Sequence, residues 1–88
     1  MRSKIIGYIV AETCEDYEQV LGLRRDDRTP FNGVLEWTDG PRAMFKSRSD
    51  ARSAIDRTDH YRQAFNLTTG KDSLPEKKFC RILSVRAA

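Results

Sequence analysis

The side chains best suited to chemistry in this chain are few and scattered. His60 is the one histidine, and Asp56 and Asp59 stand with it at positions i, i+3 and i+4. On a helix that spacing gathers three metal-ligating side chains on one flank. The same flank places Asp56 within reach of Arg52 and Asp59 within reach of Arg62, so both carboxylates read as partners in ordinary helix-surface ion pairs. No second cluster supplies the further ligands a metal centre needs. Cys14 and Cys80 have acidic or basic neighbours but no adjacent histidine to serve as a base, so neither reads as a nucleophile. Thr69-Gly70-Lys71 fails as a phosphate loop. Phe65 stands where the first glycine belongs, and Asp72 replaces the hydroxyl residue that would reach magnesium. The expectation is a protein with no catalytic centre, no metal and no cofactor.

What remains is charge. The chain of 88 residues has a net charge of +3 and a pI of about 9.1. Up to Gly40, five basic residues face eight acids; from Pro41 onward, eleven basic residues face five acids. The first part therefore carries −3 and the second +6. Arginine outnumbers lysine eleven to five, and arginine is the better residue for planar, bidentate contacts. Such asymmetry suits nucleic acid or a protein with patches of its own. Arg24-Arg25-Asp26-Asp27-Arg28 is a candidate recognition loop built on Arg24, Arg25 and Arg28. Its two central aspartates blunt the field of the arginines, which favours a self-paired, solvated run.

The elements that must position these residues can be read from periodicity. Residues 4–12 read as a strand apolar on both sides, with Ile5, Ile9 and Ala11 on one and Ile6, Tyr8 and Val10 on the other; such a strand belongs in the middle of its sheet. Thr13, with Asp16 three residues on, reads as the cap of a short helix with Tyr17, Val20 and Leu21 inside and Gly22 as its stop. Residues 23–32 read as loop. An alternating segment around Leu35 and Trp37 meets a turn at Thr38-Asp39-Gly40-Pro41 and returns through Ala43 and Phe45 as a hairpin. Ser47 and Asp50 then open a long helix over 48–65 that steps inward at Ala51, Ala54, Ile55, Thr58 and Phe65. Residues 66–76 read as loop and 77–86 as the closing strand.

The order strand–helix–strand–strand–helix–strand is that of a ferredoxin-like α+β domain, a four-stranded antiparallel sheet with one long and one short helix on one face. If the short helix is absent, the order becomes a three-strand meander, a helix and a final strand. One domain is expected, with a modest core. No run approaches the roughly 20 apolar residues of a membrane helix. With no export signal recognised, both thiols are expected reduced in a cytoplasm, and the Asn66-Leu67-Thr68 sequon is accidental.

Residues 45–55, from Phe45 through Ser47 and Ala51 to Ile55, resemble the third strand and second helix of an RNA-recognition-motif domain. Tyr8 falls where that family places a base-stacking aromatic on its first strand. The other two stacking positions fall on Gly40 and Arg42, so the platform on which bases stack is largely missing. The hairpin containing Trp37, the strand end Phe45-Lys46-Ser47 and the alanine-bearing helix also resemble small phage- or prophage-encoded α+β accessory proteins. That resemblance implies a stoichiometric inhibitor of host machinery, such as a CRISPR effector or a polymerase.

These features converge on a non-enzymatic binder that blocks a host protein or ribonucleoprotein complex. The expected contact residues are Tyr8, Trp37, Arg42, Met44, Arg48, Arg52 and Arg81, spread over an open sheet face and the arginines of the second half. An exposed set of Ile6, Tyr8 and Val10 on that face would also make a homodimer. A small nucleic-acid-binding domain using the same surface is the alternative.

Overall fold

The computed structural model describes residues 4–24, 33–38, 40–70 and 73–87. Its elements are β1 (Ile5–Cys14), β2 (Tyr17–Leu23), β3 (Leu35–Trp37), α1 (Arg48–Ala64), a single 3₁₀ turn (Lys77–Phe79) and β4 (Cys80–Arg86). The four strands form one antiparallel sheet in the order β3-β2-β1-β4. β1 is central, as its two-sided apolarity requires. Among the described residues the order is strand–strand–strand–helix–strand, and its meander runs through β2, where a short helix or a loop was expected, instead of through the Ala43–Phe45 stretch.

The short first helix does not form. Cys14 pairs with Tyr17 across a two-residue turn, and the ladder continues to Ala11 opposite Val20. The strand period explains why. Leu21 and Leu23 recur at a spacing of two, and Leu21 is fully buried in the core that α1 covers. Gly22 between them is no helix stop: a Cβ there would lie 2.5 Å from Thr38 Cγ2 and 3.1 Å from the Pro41 carbonyl oxygen. Its missing side chain is what lets the chain cross β2.

The expected hairpin between β3 and the Ala43–Phe45 stretch is also replaced. The ladder between β1 and β2 ends at Ala11, and residues 43–45 fill the space where the two strands diverge. Ala43 N–H donates to the Leu21 carbonyl at 3.1 Å, while Phe45 and Tyr8 exchange both backbone hydrogen bonds at 2.8 and 2.9 Å. A Cβ on Gly7 would meet Met44 Sδ at 2.5 Å, so this close passage also needs glycine.

The long helix stands where its pattern places it. The Ser47 hydroxyl accepts from Asp50 N–H at 3.1 Å, and Ala51, Ala54, Ile55 and Thr58 are buried. The helix ends at Phe65, and Asn66 takes a left-handed φ of 55°, a frequent helix stop. Phe65 itself, expected inside, is 50% exposed. Val10, Leu21 and Leu35 from three strands meet Ala51, Ala54 and Ile55 in the core. Alternation therefore puts Tyr8, Val10 and Glu12 on the side of the sheet that faces α1. Ile6 lies at a register irregularity and is 56% exposed. The expected outward-facing set of Ile6, Tyr8 and Val10 is thus not one surface, and it offers no shared face for a homodimer.

Thr58 fastens α1 to β3. Its hydroxyl donates to the Ala54 carbonyl at 2.7 Å and accepts from Leu35 N–H at 2.8 Å, both buried. An edge-strand donor that water would otherwise serve is satisfied by the helix. Thr58→Val keeps the shape and removes the acceptor, so denaturant unfolding should show a loss of about 1–3 kcal/mol. Thr58→Ser should retain most of that stability.

Candidate functional site

The site is built on the outer edge of β4, where α1 lies alongside the sheet. A groove of about 430 Å³ runs between them, lined by Arg48, Arg52, Ile55, Lys77, Lys78, Cys80, Arg81, Ile82 and Leu83. Its apolar floor is continuous with the core through Ile55 and Ile82. Its rim is basic.

Arg48 occupies the first helical position, and its guanidinium carbon lies 5.3 Å from the centroid of the Tyr8 ring. Arg48 Nη2 also donates to Ser84 Oγ at 3.4 Å. Arg52 follows one turn later, so two like charges are neighbours on one flank of the helix. Arg81, paired with Ala11, shares with Leu83 the face of β4 turned away from α1 and borders the groove from that side of the strand. The ion pairs among the described residues join Arg24 to Glu36, Arg62 and Lys78 to Glu76, and Lys77 to Asp56. None of them includes Arg48, Arg52 or Arg81. Arg52, the expected partner of Asp56, acts on it as a more distant charge, while Asp56 makes its direct ion pair with Lys77, whose Nζ stands 2.8 Å from the carboxyl. That hydrogen bond is the main cause holding Asp56 below its usual range and raising Lys77. Asp59 accepts from Gln63 Nε2 at 3.0 Å instead of pairing with Arg62.

The other expected contact residues fall elsewhere. Arg42 lines a separate hollow with Leu23, Thr38, Pro41 and Ala43. Met44 is exposed and passes over Gly7. Trp37, opposite Leu21 on β3, lies on the α1 side of the sheet, and the residue is 38% exposed. Its indole N–H donates to Glu12 Oε1 at 3.0 Å, which anchors it to the interior. Tyr8 faces the helix beneath Arg48, so its ring is no platform on the far face. Arg24 is engaged with Glu36 at 2.9 Å; Arg25 and Arg28 lie outside the described residues. No group of three or more histidine, cysteine, aspartate or glutamate side chains among the described residues is placed to hold a metal ion.

Two features escaped the sequence pattern. Lys77 and Lys78 belong to the groove because a 3₁₀ turn, not the strand itself, carries them. Glu12 looks like the polar end of a strand, yet it is only 2% exposed. The Tyr17 hydroxyl and the Trp37 indole donate to its Oε1, and Glu76 N–H donates to Oε2 at 3.3 Å. The hydrogen bond to Glu12 is the largest cause raising the Tyr17 phenol above its ordinary range. Cys80, paired with Glu12 across the ladder, is pushed up to about 11, chiefly by burial and then by the Glu12 charge.

No protein-family model matches the chain, and no curated protein or solved structure shows a significant match to it.

The thiol gives the protein an alkaline limit. In the unfolded chain Cys80 releases its proton near its ordinary 9.0, whereas the folded protein retains it to about 11. Unfolding then releases a proton between those values, so stability falls as pH rises through them and this contribution levels off beyond. Tyr17, also raised, adds to the fall above its ordinary 10.0. Thermal midpoints measured across that range should drop, and Cys80→Ala should flatten the part of the drop between about pH 9 and 10. Superimposable profiles for the two proteins would remove Cys80 from the account.

Proposed function

We propose that this protein is a non-catalytic binding protein that docks on a partner protein through the groove between α1 and β4. The gathering of Arg48, Arg52 and Arg81 around that groove, with no carboxylate paired to any of them among the described residues, carries this reading. Like charges one helical turn apart destabilise a helix, and a cation at the first helical position opposes the macrodipole. Charges held against these penalties suit a surface that receives an anionic partner. Arginines beside an aromatic, here Arg48 over Tyr8, are typical anchors of protein interfaces.

The absence of a reactive group in the groove fits binding without turnover. Cys80 is the one thiol among its lining residues, and burial pushes it up to about 11, further from the reactive thiolate; Lys77 and Lys78 are engaged by Asp56 and Glu76. The resemblance to small phage-encoded accessory proteins gives the docking a direction: a host protein or ribonucleoprotein complex is occupied and blocked.

Nucleic acid is the second reading, favoured by the number of bases around one groove. Asp56 and Glu76 stand against it. They engage Lys77 and Lys78 and break the basic rim before it becomes a stripe able to track phosphates.

Binding to random duplex and single-stranded oligonucleotides separates the two. No affinity tighter than about 1 μM is expected at about 150 mM salt. Capture of a partner from native host lysate should survive nuclease and fail with Arg48→Glu or Arg52→Glu, while Arg42→Glu leaves it intact. Capture abolished by nuclease, or tight generic nucleic-acid binding with a steep salt slope, would transfer the groove to the second reading.

A further inference from the structure

The groove has a second wall that side-chain charge does not describe: the free edge of β4. In the order β3-β2-β1-β4, β4 has a neighbour on one side only among the described residues. The pairing tells which of its backbone groups are left over. Tyr8 uses its N–H and carbonyl on Phe45, so Tyr8 and the residue across from it, Ser84, form a non-hydrogen-bonded pair. Ser84 therefore directs its own N–H and carbonyl away from β1. Alternation gives Ile82, opposite Val10, the same outward direction. An unpaired donor and acceptor at each of two alternate residues is a template for one more strand.

We propose that this edge accepts an extended acidic segment of the partner as a fifth strand, its carboxylates directed to the α1 side, where they meet Arg48 and Arg52. The inference rests on the groove being the docking surface and adds what occupies it. The side chains of such a strand alternate between two environments. On the α1 side, beside Ile82 and Ser84, a carboxylate lies under Arg48 and Arg52. On the other side the strand runs beside Leu83, which is paired with Ile9 and is 36% exposed, and beside Arg81, which is paired with Ala11. The segment that fits alternates acidic and aliphatic residues. The aliphatic stems of Glu or Asp neighbours would cover the apolar floor of Ile55 and Ile82.

Charge decides between this occupant and the other candidates for an open edge. A second copy adding β4 to β4 would set Arg81 near its equivalent and bring Arg48 and Arg52 of each copy toward one another, with no carboxylate between them. Nucleic acid supplies negative charge but no alternating backbone donors and acceptors, so the Ile82 and Ser84 carbonyls would go unmet. An acidic strand answers both the guanidinium groups and the backbone.

The test uses the full-length protein and three fluorescent probes. One is an octapeptide alternating Glu and Val, one is the same peptide N-methylated at the alternate residues that face β4, and one is a single-stranded oligonucleotide of equal charge. The Glu/Val peptide should bind, N-methylation should weaken it about ten-fold or more, and the oligonucleotide should be the weakest ligand. Arg48→Ala/Arg52→Ala should weaken the unmethylated peptide by about ten-fold or more, and Arg48→Lys/Arg52→Lys should restore part of that binding. The peptide should slow amide exchange at Ile82 and Ser84. Equal affinity for the methylated peptide, tighter binding of the oligonucleotide, or no binding of any probe would overturn the added strand. Partner capture that still depends on Arg48 and Arg52 in those cases would leave the groove standing as the docking surface. Arginine-independent capture would remove that reading as well.

Discussion

Three hydrogen-bond donors from three parts of the chain converge on one buried carboxyl group, and the shape of the sheet depends on that convergence. An acid with 2% of its surface exposed is strongly unfavourable inside a small core unless its oxygens are satisfied. Glu12 on β1 takes the Tyr17 hydroxyl from β2, the Trp37 indole from β3 and the Glu76 backbone N–H from the segment leading into β4. None of these donors is charged, so each is needed for desolvation and not for charge neutralisation. The loss of any one leaves a buried polar atom short of a partner, a penalty of about 1–3 kcal/mol. Glu12 thereby fixes the hairpin turn, the end of the edge strand and the entry to β4 to the same point on the central strand.

The functional surface inherits its geometry from that point. The bond to Glu76 sets where the 3₁₀ turn begins, and the register places Cys80 opposite Glu12. From there β4 runs beside α1, bringing Ile82 and Ser84 under Arg48 and Arg52. The helix is held from its other flank, where Thr58 meets β3 and Arg57 Nη1 donates to the Gly33 carbonyl at 2.9 Å. The two edges of the sheet are treated differently as a result. β3 is short and tied into the helix through its backbone, whereas β4 is seven residues long and keeps a free edge beside a basic rim. A sheet with one protected edge and one charged, open edge has a direction in which it can be extended.

The parts of this architecture legible in the sequence are those fixed by local periodicity. Ala51, Ala54, Ile55 and Thr58, with Ser47 at the cap, specify α1 without help from the rest of the chain. The two-sided apolarity of β1 specifies a central strand. The hairpin from β1 to β2 was hidden because its turn, Glu15-Asp16, carries neither glycine nor asparagine and neither residue takes a positive φ. Its acidic run, with Thr13 and Asp16 in capping positions, imitates the start of a helix. Pairing with β1 overrode that local preference. The path of residues 43–45 between β1 and β2 depends on contacts with Leu21 and Tyr8, distant in sequence. Gly7 and Gly22 mark the crossing, but a lone glycine does not say what passes over it. The candidate site was half visible: Arg48, Arg52 and Arg81 were legible as contact candidates in the basic second half, although helix spacing also offered Asp56 to Arg52 as a partner. Lys77, Lys78 and the exposed backbone of β4 become part of it only once strand order is known.

The central claim is that these arginines serve a partner and not the fold. It is tested most directly by the stability of Arg48→Glu at low ionic strength. Glutamate at the first helical position aligns with the helix macrodipole and pairs with Arg52 one turn on, gains of about 0.3–1 and 0.2–0.5 kcal/mol. The stacking on Tyr8 that is given up is worth about 0.5–1 kcal/mol at an exposed site. The account predicts a variant at least as stable as the wild type in dilute buffer, its advantage fading near 1 M salt. A loss of about 1 kcal/mol or more, unchanged by salt, would mean that Arg48 is there to hold Tyr8 and Ser84 together, and would contradict the assignment of the groove to a partner.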